Sequence, residues 1–143
     1  RDNRLDDQIR TGTILDAETT AELLKNIFYP KAPLHDGAAI IRSGRIQAAG
    51  CMLPLSNNPN LSKELGMRHR AGIGMSEASD AVVVIVSEET GAISVAVNGM
   101  LKRHLTKDTF EKILRNELIP EVKEEPTGAL RFLRRKEKDN ADE

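Results

Sequence analysis

The sequence predicts a mixed α/β domain, and three observations carry that reading. Apolar runs of strand length alternate with stretches whose apolar residues recur at helical spacing, a pattern that neither a helical bundle nor a sandwich produces. The run Ala81-Val82-Val83-Val84-Ile85-Val86 lacks polar alternation, as expected of a strand in mid-sheet covered on both faces. A chain of 143 residues with 39% apolar content supports one hydrophobic core and little more. The expected layout is therefore one domain over residues 1–125, followed by a charged helix and tail over residues 126–143.

The elements follow in order. Asp16 is placed to cap a helix over about Ala17 to Phe28, in which Ala21, Leu24, Ile27 and Phe28 recur at helical spacing, and Pro30 and Pro33 prevent its continuation. Ala38 to Ile41 reads as a short strand, Arg42-Ser43-Gly44-Arg45 as a turn, and Ile46 to Leu53 as the return strand of a hairpin. A loop rich in Pro and Asn runs from Pro54 to Asn60. Ser62 is a candidate cap for a short helix, and a longer helical pattern covers about Arg68 to Ala78 despite Gly72 and Gly74. After the Ala81 to Val86 run, Ser87-Glu88-Glu89-Thr90-Gly91 closes the strand and Ile93 to Val97 forms the next. Asn98-Gly99 then reverses the chain into Met100 and Leu101. Thr106 caps a last core helix bearing Phe110, Ile113, Leu114 and Leu118, stopped by Pro120. Beyond Glu121 charge dominates: Pro126 to Lys136 fits a basic amphipathic helix, and Lys136 to Glu143 a frayed tail.

Composition narrows the function. Twenty-one Lys and Arg against twenty-two Asp and Glu give a formal charge of −1, so a wide basic surface for duplex nucleic acid is not expected and any anion site is local. The single Cys51 excludes an internal disulfide and a cysteine-built zinc site; its apolar setting reads as a buried strand position in a reducing compartment. No apolar stretch approaches the length of about 20 residues that spans a bilayer, and Arg1-Asp2-Asn3-Arg4 is not a signal peptide, so this chain is expected to be soluble.

Two short segments carry the chemistry. Leu34-His35-Asp36-Gly37-Ala38 offers a metal-competent acid at the start of a strand, and Gly37 lets a ligand backbone or phosphate come close. Taken alone, an Asp-Gly pair is more often a turn, and a lone His more often a surface or packing residue. Arg68-His69-Arg70 sets two guanidiniums around an imidazole. Within a regular helix Arg68 and Arg70 would point about 200° apart, so they converge on one anion only at a loop-to-helix junction, where free N–H groups also serve it. A solvated basic patch near Lys63 is the plainer alternative. Ser87, Glu88 and Glu89 end a strand, a common place for ligand groups in α/β sheets, although acidic turns are common there too. The Walker lysine loop and the dinucleotide glycine fingerprint are both missing, so a bound nucleotide would be held by another route.

In order, Pro33-Leu34-His35-Asp36-Gly37-Ala38, Cys51-Met52-Leu53-Pro54-Leu55-Ser56, Arg68-His69-Arg70 and Ser87-Glu88-Glu89-Thr90-Gly91 resemble the motifs of the diadenylate cyclase family, specifically its membrane-anchored CdaA type. The likeness covers most of Gly12 to Leu118. It implies a mixed central sheet flanked by helices, and a homodimer in which two ATP molecules become cyclic di-AMP and two pyrophosphates. It also implies that Asp36 is catalytic, activating the 3′-hydroxyl, and that His35 and Asp36 position a Mg²⁺ or Mn²⁺ ion. Gly37 and Ala38 would line the nucleotide, and Leu53 would meet adenine through its backbone. Arg68, His69 and Arg70 would hold phosphates with Ser87 beside them, and Glu88 and Glu89 would support metal or ligand. Low aromatic content, 3%, separately favours aliphatic and main-chain recognition of a base over a stacking platform.

Met67 stands where relatives commonly carry a Thr, and Met52 where this subgroup often has an aromatic residue, which implies altered phosphate and base contacts. The resemblance further implies that the chain is the cytoplasmic catalytic part of a protein anchored by N-terminal transmembrane helices. Its implied partners are a YbbR-domain regulator and phosphoglucosamine mutase. Two other classes fit the same residues: a catalytically silent nucleotide-binding regulatory module, and a metal-dependent phosphohydrolase using His35 and Asp36.

Overall fold

The computed structural model describes residues 5–119, so the expectations for residues 1–4 and for the helix and tail at 126–143 lie outside the described residues. Helices α1 (Asp6–Ile9), α2 (Ala21–Ile27), α3 (Met67–Ala78) and α4 (Lys107–Leu118) are interspersed with six strands. These are β1 (Thr13–Glu18), β2 (Ala38–Arg42), β3 (Arg45–Cys51), β4 (Val83–Val86), β5 (Ile93–Val97) and β6 (Met100–Leu105). The mixed α/β class is as expected. The strands form two three-stranded sheets, β1-β3-β2 and β4-β5-β6, rather than one central sheet among the described residues.

Helix α3 contributes to the cores of both sheets. Its Met75 joins the first sheet's core with Ile40, Ala48 and Cys51, while its Ile73 joins the second sheet's core with Ile85 and Ala96. Ile73 is fully buried, and burying such a side chain stabilises the fold by about 1.5–3 kcal/mol. The glycines that seemed to weaken this helix are what let it sink so deep. A Cβ at Gly72 would lie 2.7 Å from Ile85 Cδ1, and one at Gly74 would collide with the carbonyl of Pro54. Close approach of backbones outweighs the helix propensity lost at two glycines.

Several expected boundaries shift. Asp16 does not cap a helix: it sits in β1 with φ +49° at a register shift opposite β3. Arg45 holds it there, donating from Nε to the Asp16 carboxylate at 2.8 Å and from a terminal nitrogen to its carbonyl at 2.6 Å. The cap of α2 is Thr20, whose hydroxyl accepts from Leu23 N–H at 3.1 Å, and the helix is correspondingly shorter. The β2–β3 hairpin forms as expected, with Ser43 and Gly44 at φ +57° and +74°. Ser62 caps no helix; its hydroxyl accepts from Glu64 N–H within a turn.

Strand β4 is an edge of its sheet rather than its middle. Only Ile85 is buried, against α3, while Val84 and Val86 are 43% and 46% exposed. A continuous apolar run shows that a strand is apolar, not how many of its faces find partners. The turn Asn98-Gly99 reverses β5 into β6 with φ +51° and +83°, and β6 runs on to Leu105, carrying exposed Lys102, Arg103 and His104.

The chain divides into two compact units at His104 and Leu105. The described part of the second is α4, capped by Thr106, which accepts from Thr109 N–H at 3.2 Å. Its Phe110, Ile113 and Leu114 are half-buried and none of its side chains is fully buried, so the expected core helix is amphipathic rather than internal. No helix among the described residues is long and apolar enough to cross a membrane.

Candidate active site

The site begins at the turn before β2. His35 is half-buried, and its Nδ1 lies 2.8 Å from the carbonyl oxygen of Ala32. A carbonyl only accepts, so Nδ1 carries a proton, which leaves Nε2 as the ring nitrogen that could serve a metal. Asp36 is exposed, and among the described residues its carboxylate makes no hydrogen bond or ion pair.

Gly37 has φ +106°, and a Cβ there would lie 2.8–3.0 Å from the backbone of Gly50 and Cys51. The close approach anticipated for a ligand is thus made first by the protein's own β3 strand. This fixes the Asp-Gly-Ala turn against the end of β3, and Ala38 pairs directly with Cys51. Cys51 is buried, and burial pushes its thiol above the ordinary cysteine range, as suits a packing residue.

Beyond Cys51 the chain is held from both sides. Met52 N–H donates to Thr11 Oγ1 at 2.8 Å, and the Thr11 hydroxyl in turn donates to the carbonyl of Gln8 at 2.6 Å. Four residues later, Ser56 N–H donates to the carbonyl of Arg70 at 3.0 Å. The half-buried Leu53 and the exposed Met52 lie on the segment between these two anchors. The Asp36 turn, the Met52–Leu55 segment and the first turns of α3 therefore adjoin one another in that order.

Arg68, His69 and Arg70 occupy the first turn and a half of α3, at the junction that anion binding requires. The two arginines nevertheless part company. Arg68 pairs with Glu88 and reaches the carbonyl of Val86 at 3.5 Å. Arg70 turns back along the chain, donating to the carbonyls of Leu65 and Ser62 at 3.2 and 3.0 Å. The structure thus joins Arg68 to the Ser87-Glu88 turn, while Arg70 braces the loop before α3. Ser87 shapes the turn after β4: its hydroxyl accepts from Glu89 and Thr90 N–H at 3.2 and 3.3 Å. Glu89 is exposed on that turn.

His69 is half-buried, and burial, then Arg103, Arg68 and His104, hold its pKa below the ordinary imidazole value. It is therefore neutral at physiological pH. Arg103 and His104 of β6, near His69, were not legible as part of the site, because a sequence separation of more than thirty residues hides which strand faces a helix end. Thr11 was missed for the same reason, its bond to Met52 spanning forty-one positions.

Among the described residues no group of three or more His, Cys, Asp or Glu side chains is arranged to hold a metal on its own. His35 and Asp36 supply one imidazole and one carboxylate, which matches ions that take one or two protein ligands and complete their shell with phosphate oxygens and water.

Comparison with known proteins points the same way. The sequence family described as DisA bacterial checkpoint controller nucleotide-binding, abbreviated DAC, matches residues 1–101. The chain is 53% identical over 117 residues to the cyclic di-AMP synthase CdaA of Bacillus subtilis, covering 82% of this chain and 43% of that one. It is 48% identical over 127 residues to a diadenylate cyclase of Listeria monocytogenes, covering 89% and 46%. It thus spans less than half the length of these two relatives. Among solved structures, a double mutant of DacA from Staphylococcus aureus superposes with a TM-score of 0.81 at 48% identity, covering 84% of this chain and 80% of that one. A hypothetical membrane-spanning protein from Bacillus cereus superposes with a TM-score of 0.71 at 49% identity, covering 74% and 52%. The match over residues 1–101, together with these relatives, establishes that the chain belongs to the diadenylate cyclase family, the DAC family.

Proposed function

We propose that the chain is the catalytic domain of a diadenylate cyclase, condensing two ATP molecules into cyclic di-AMP with release of two pyrophosphates. The observation that carries this is the run of contacts from the Ala38–Cys51 pairing to the Ser56–Arg70 hydrogen bond. It sets an exposed carboxylate, a partly exposed apolar segment and a cationic helix start next to one another. A nucleoside triphosphate offers a group to each of the three: a sugar hydroxyl to the carboxylate, a base to the apolar segment and phosphates to the cations.

In this reading the base lies along Met52–Leu55, with Leu53 meeting it through the backbone, and the phosphates run towards Arg68, His69, Arg70 and Ser87. Arg68 supplies a charge-assisted donor, and the N–H groups opening α3 add partial positive charge. Neutral His69 donates one hydrogen bond without adding a full charge beside Arg68 and Arg103. Gly37 and Ala38 border the sugar. Asp36 accepts the proton of the attacking 3′-hydroxyl as its oxygen bonds to the α-phosphorus and pyrophosphate departs. Positioning and charge neutralisation supply most of the catalysis in such a transfer.

His35 and Asp36 would hold a Mg²⁺ or Mn²⁺ ion, and Glu88 and Glu89, on the turn that closes β4, would support metal or ligand. When bound, that ion neutralises phosphate charge and makes the hydroxyl more acidic. Each hydroxyl attacks the other nucleotide, so one chain provides half of the reaction centre and a homodimer completes it. The parent protein is proposed to be anchored in the plasma membrane, with this domain facing the cytoplasm and a YbbR-domain regulator and phosphoglucosamine mutase as partners. The domain proper extends over residues 1–125.

Incubation with ATP and Mg²⁺ or Mn²⁺, followed by identification of products, tests the reading. Cyclic di-AMP and pyrophosphate are expected. ADP or AMP would point instead to a phosphohydrolase, and ATP binding without product to a silent regulatory module.

A further inference from the structure

Ser56 is one of few buried polar residues among those described, 7% exposed, and its side chain is fully engaged. Its hydroxyl donates to the carboxylate of Glu77 at 2.8 Å and accepts from Asn58 N–H at 3.2 Å, while its own N–H goes to the carbonyl of Arg70. Glu77 lies in the last turn of α3, far along the helix from Arg70. One serine therefore fastens the segment after Leu53 to two residues of α3 seven positions apart, one through its backbone and one through its side chain.

Two glycines make this seat possible. At Gly74, between the two fastening points, any Cβ would collide with the carbonyl of Pro54, so helix and segment touch backbone to backbone. At Gly99, φ +83°, a Cβ would lie 3.1 Å from Glu77 Cγ, so the β5–β6 turn leaves room for the carboxylate that receives Ser56. Gly99 N–H is meanwhile tied to Ser76 Oγ at 2.9 Å, which keeps that turn beside the end of α3.

We propose that Ser56 and Glu77 form a positioning pair that sets the spacing between the base-side segment Met52–Leu55 and the phosphate-side turn Arg68–Arg70. Neither residue touches the nucleotide. The proposal rests on the reading of these two surfaces as the two ends of one ATP site. Its distinguishing consequence concerns ligand length. A ligand that spans both ends depends on their spacing, whereas a ligand confined to the phosphate end does not.

The test compares ATP with inorganic triphosphate, both in the presence of Mg²⁺, by calorimetric titration of the wild-type chain and of Ser56→Ala, Glu77→Ala, the double variant and Glu77→Gln. Expected is a loss of about fivefold to tenfold in ATP affinity for each alanine variant, the scale of one hydrogen bond to a charged acceptor at a half-exposed site. Triphosphate affinity should stay within about twofold in the same variants, as for a group that acts only through spacing. The double variant should be no worse than either single one, and Glu77→Gln, which keeps an acceptor oxygen, should bind ATP as wild type does. ATP affinity unchanged in both alanine variants would overturn the pair while leaving the site intact. A parallel fall for both ligands would overturn it in favour of a general loss of structure, and thermal melts of exposed Glu77→Ala expose that case even if Ser56→Ala folds poorly. Failure of the wild-type chain to bind ATP would instead overturn the site reading itself, and the pair with it.

Discussion

The guanidinium of Arg68 is paired with the carboxylate of Glu88, joining the first turn of α3 to the turn that closes β4. The Glu88 side chain is 67% exposed, so the pair itself stabilises the fold by at most about 1 kcal/mol. Its value is in aim: it holds Arg68 over the turn that carries Ser87. Arg68→Ala should therefore weaken ATP binding by about 1.5–3 kcal/mol, the range for a charged hydrogen bond, while urea unfolding shifts by less than about 1 kcal/mol. Equal ATP affinity in the variant and the wild type would remove Arg68 from the phosphate site.

Asp36 should separate chemistry from binding in the opposite sense. Its carboxylate is exposed and, among the described residues, without a protein partner, so Asp36→Asn costs the fold little. Losing the proton acceptor should abolish cyclic di-AMP formation while much of the ATP affinity survives, measured by product analysis and titration on one preparation. Unchanged turnover would rule out the catalytic role.

Two glycines offer an internal control for the geometry of the Asp36 turn. Gly37 and Gly44 both have positive φ, but a Cβ at Gly37 meets the backbone of Gly50 and Cys51 whereas one at Gly44 meets open space. Gly44→Ala should cost about 1–2 kcal/mol from backbone strain alone. Gly37→Ala adds an overpacking cost of about 1–3 kcal/mol and should also displace Asp36. Similar denaturation midpoints for the two variants would mean that the Gly37 contact yields easily.

His69 makes stability depend on pH. Its folded pKa is held below the ordinary imidazole value of about 6.5 by burial and by Arg103, Arg68 and His104. As pH falls below about 6.5, the unfolded chain takes up a proton that the folded chain resists, so stability present above that value is lost through the window down to the folded pKa. His69→Gln removes this linkage, and the stability difference between wild type and variant should drift against the wild type as pH is lowered from 7 to 5. A difference that stays flat across that range would show that His69 titrates normally.

What the sequence revealed and what it hid divide along physical lines. The β2–β3 hairpin and α3 were legible because turn residues such as Ser43-Gly44 and a single helical period act locally. Strand β1 was not, because Asp16 resembles a helix cap and its true role depends on Arg45, twenty-nine positions away. The division into two sheets was hidden because strand order is a tertiary property, and the seating of α3 against Ile85 and Pro54 at Gly72 and Gly74, which looked only like weak helix formers, is equally non-local. In the candidate site, the motifs led to Asp36, Leu53 and Arg68, which lie next to or within the ends of β2, β3 and α3. The divergence of Arg70 towards Ser62 and Leu65, and the bracing by Thr11, Ser56 and Glu77, rest on tertiary contacts that no local pattern encodes.

The central claim is that one chain carries half of a reaction centre. The most direct test measures the initial rate of cyclic di-AMP formation, at saturating ATP and Mg²⁺ or Mn²⁺, against chain concentration across the monomer–dimer transition followed by sedimentation. Specific activity should rise with concentration wherever monomers predominate and level off once dimers do. Strictly constant specific activity across that transition would contradict the two-subunit site.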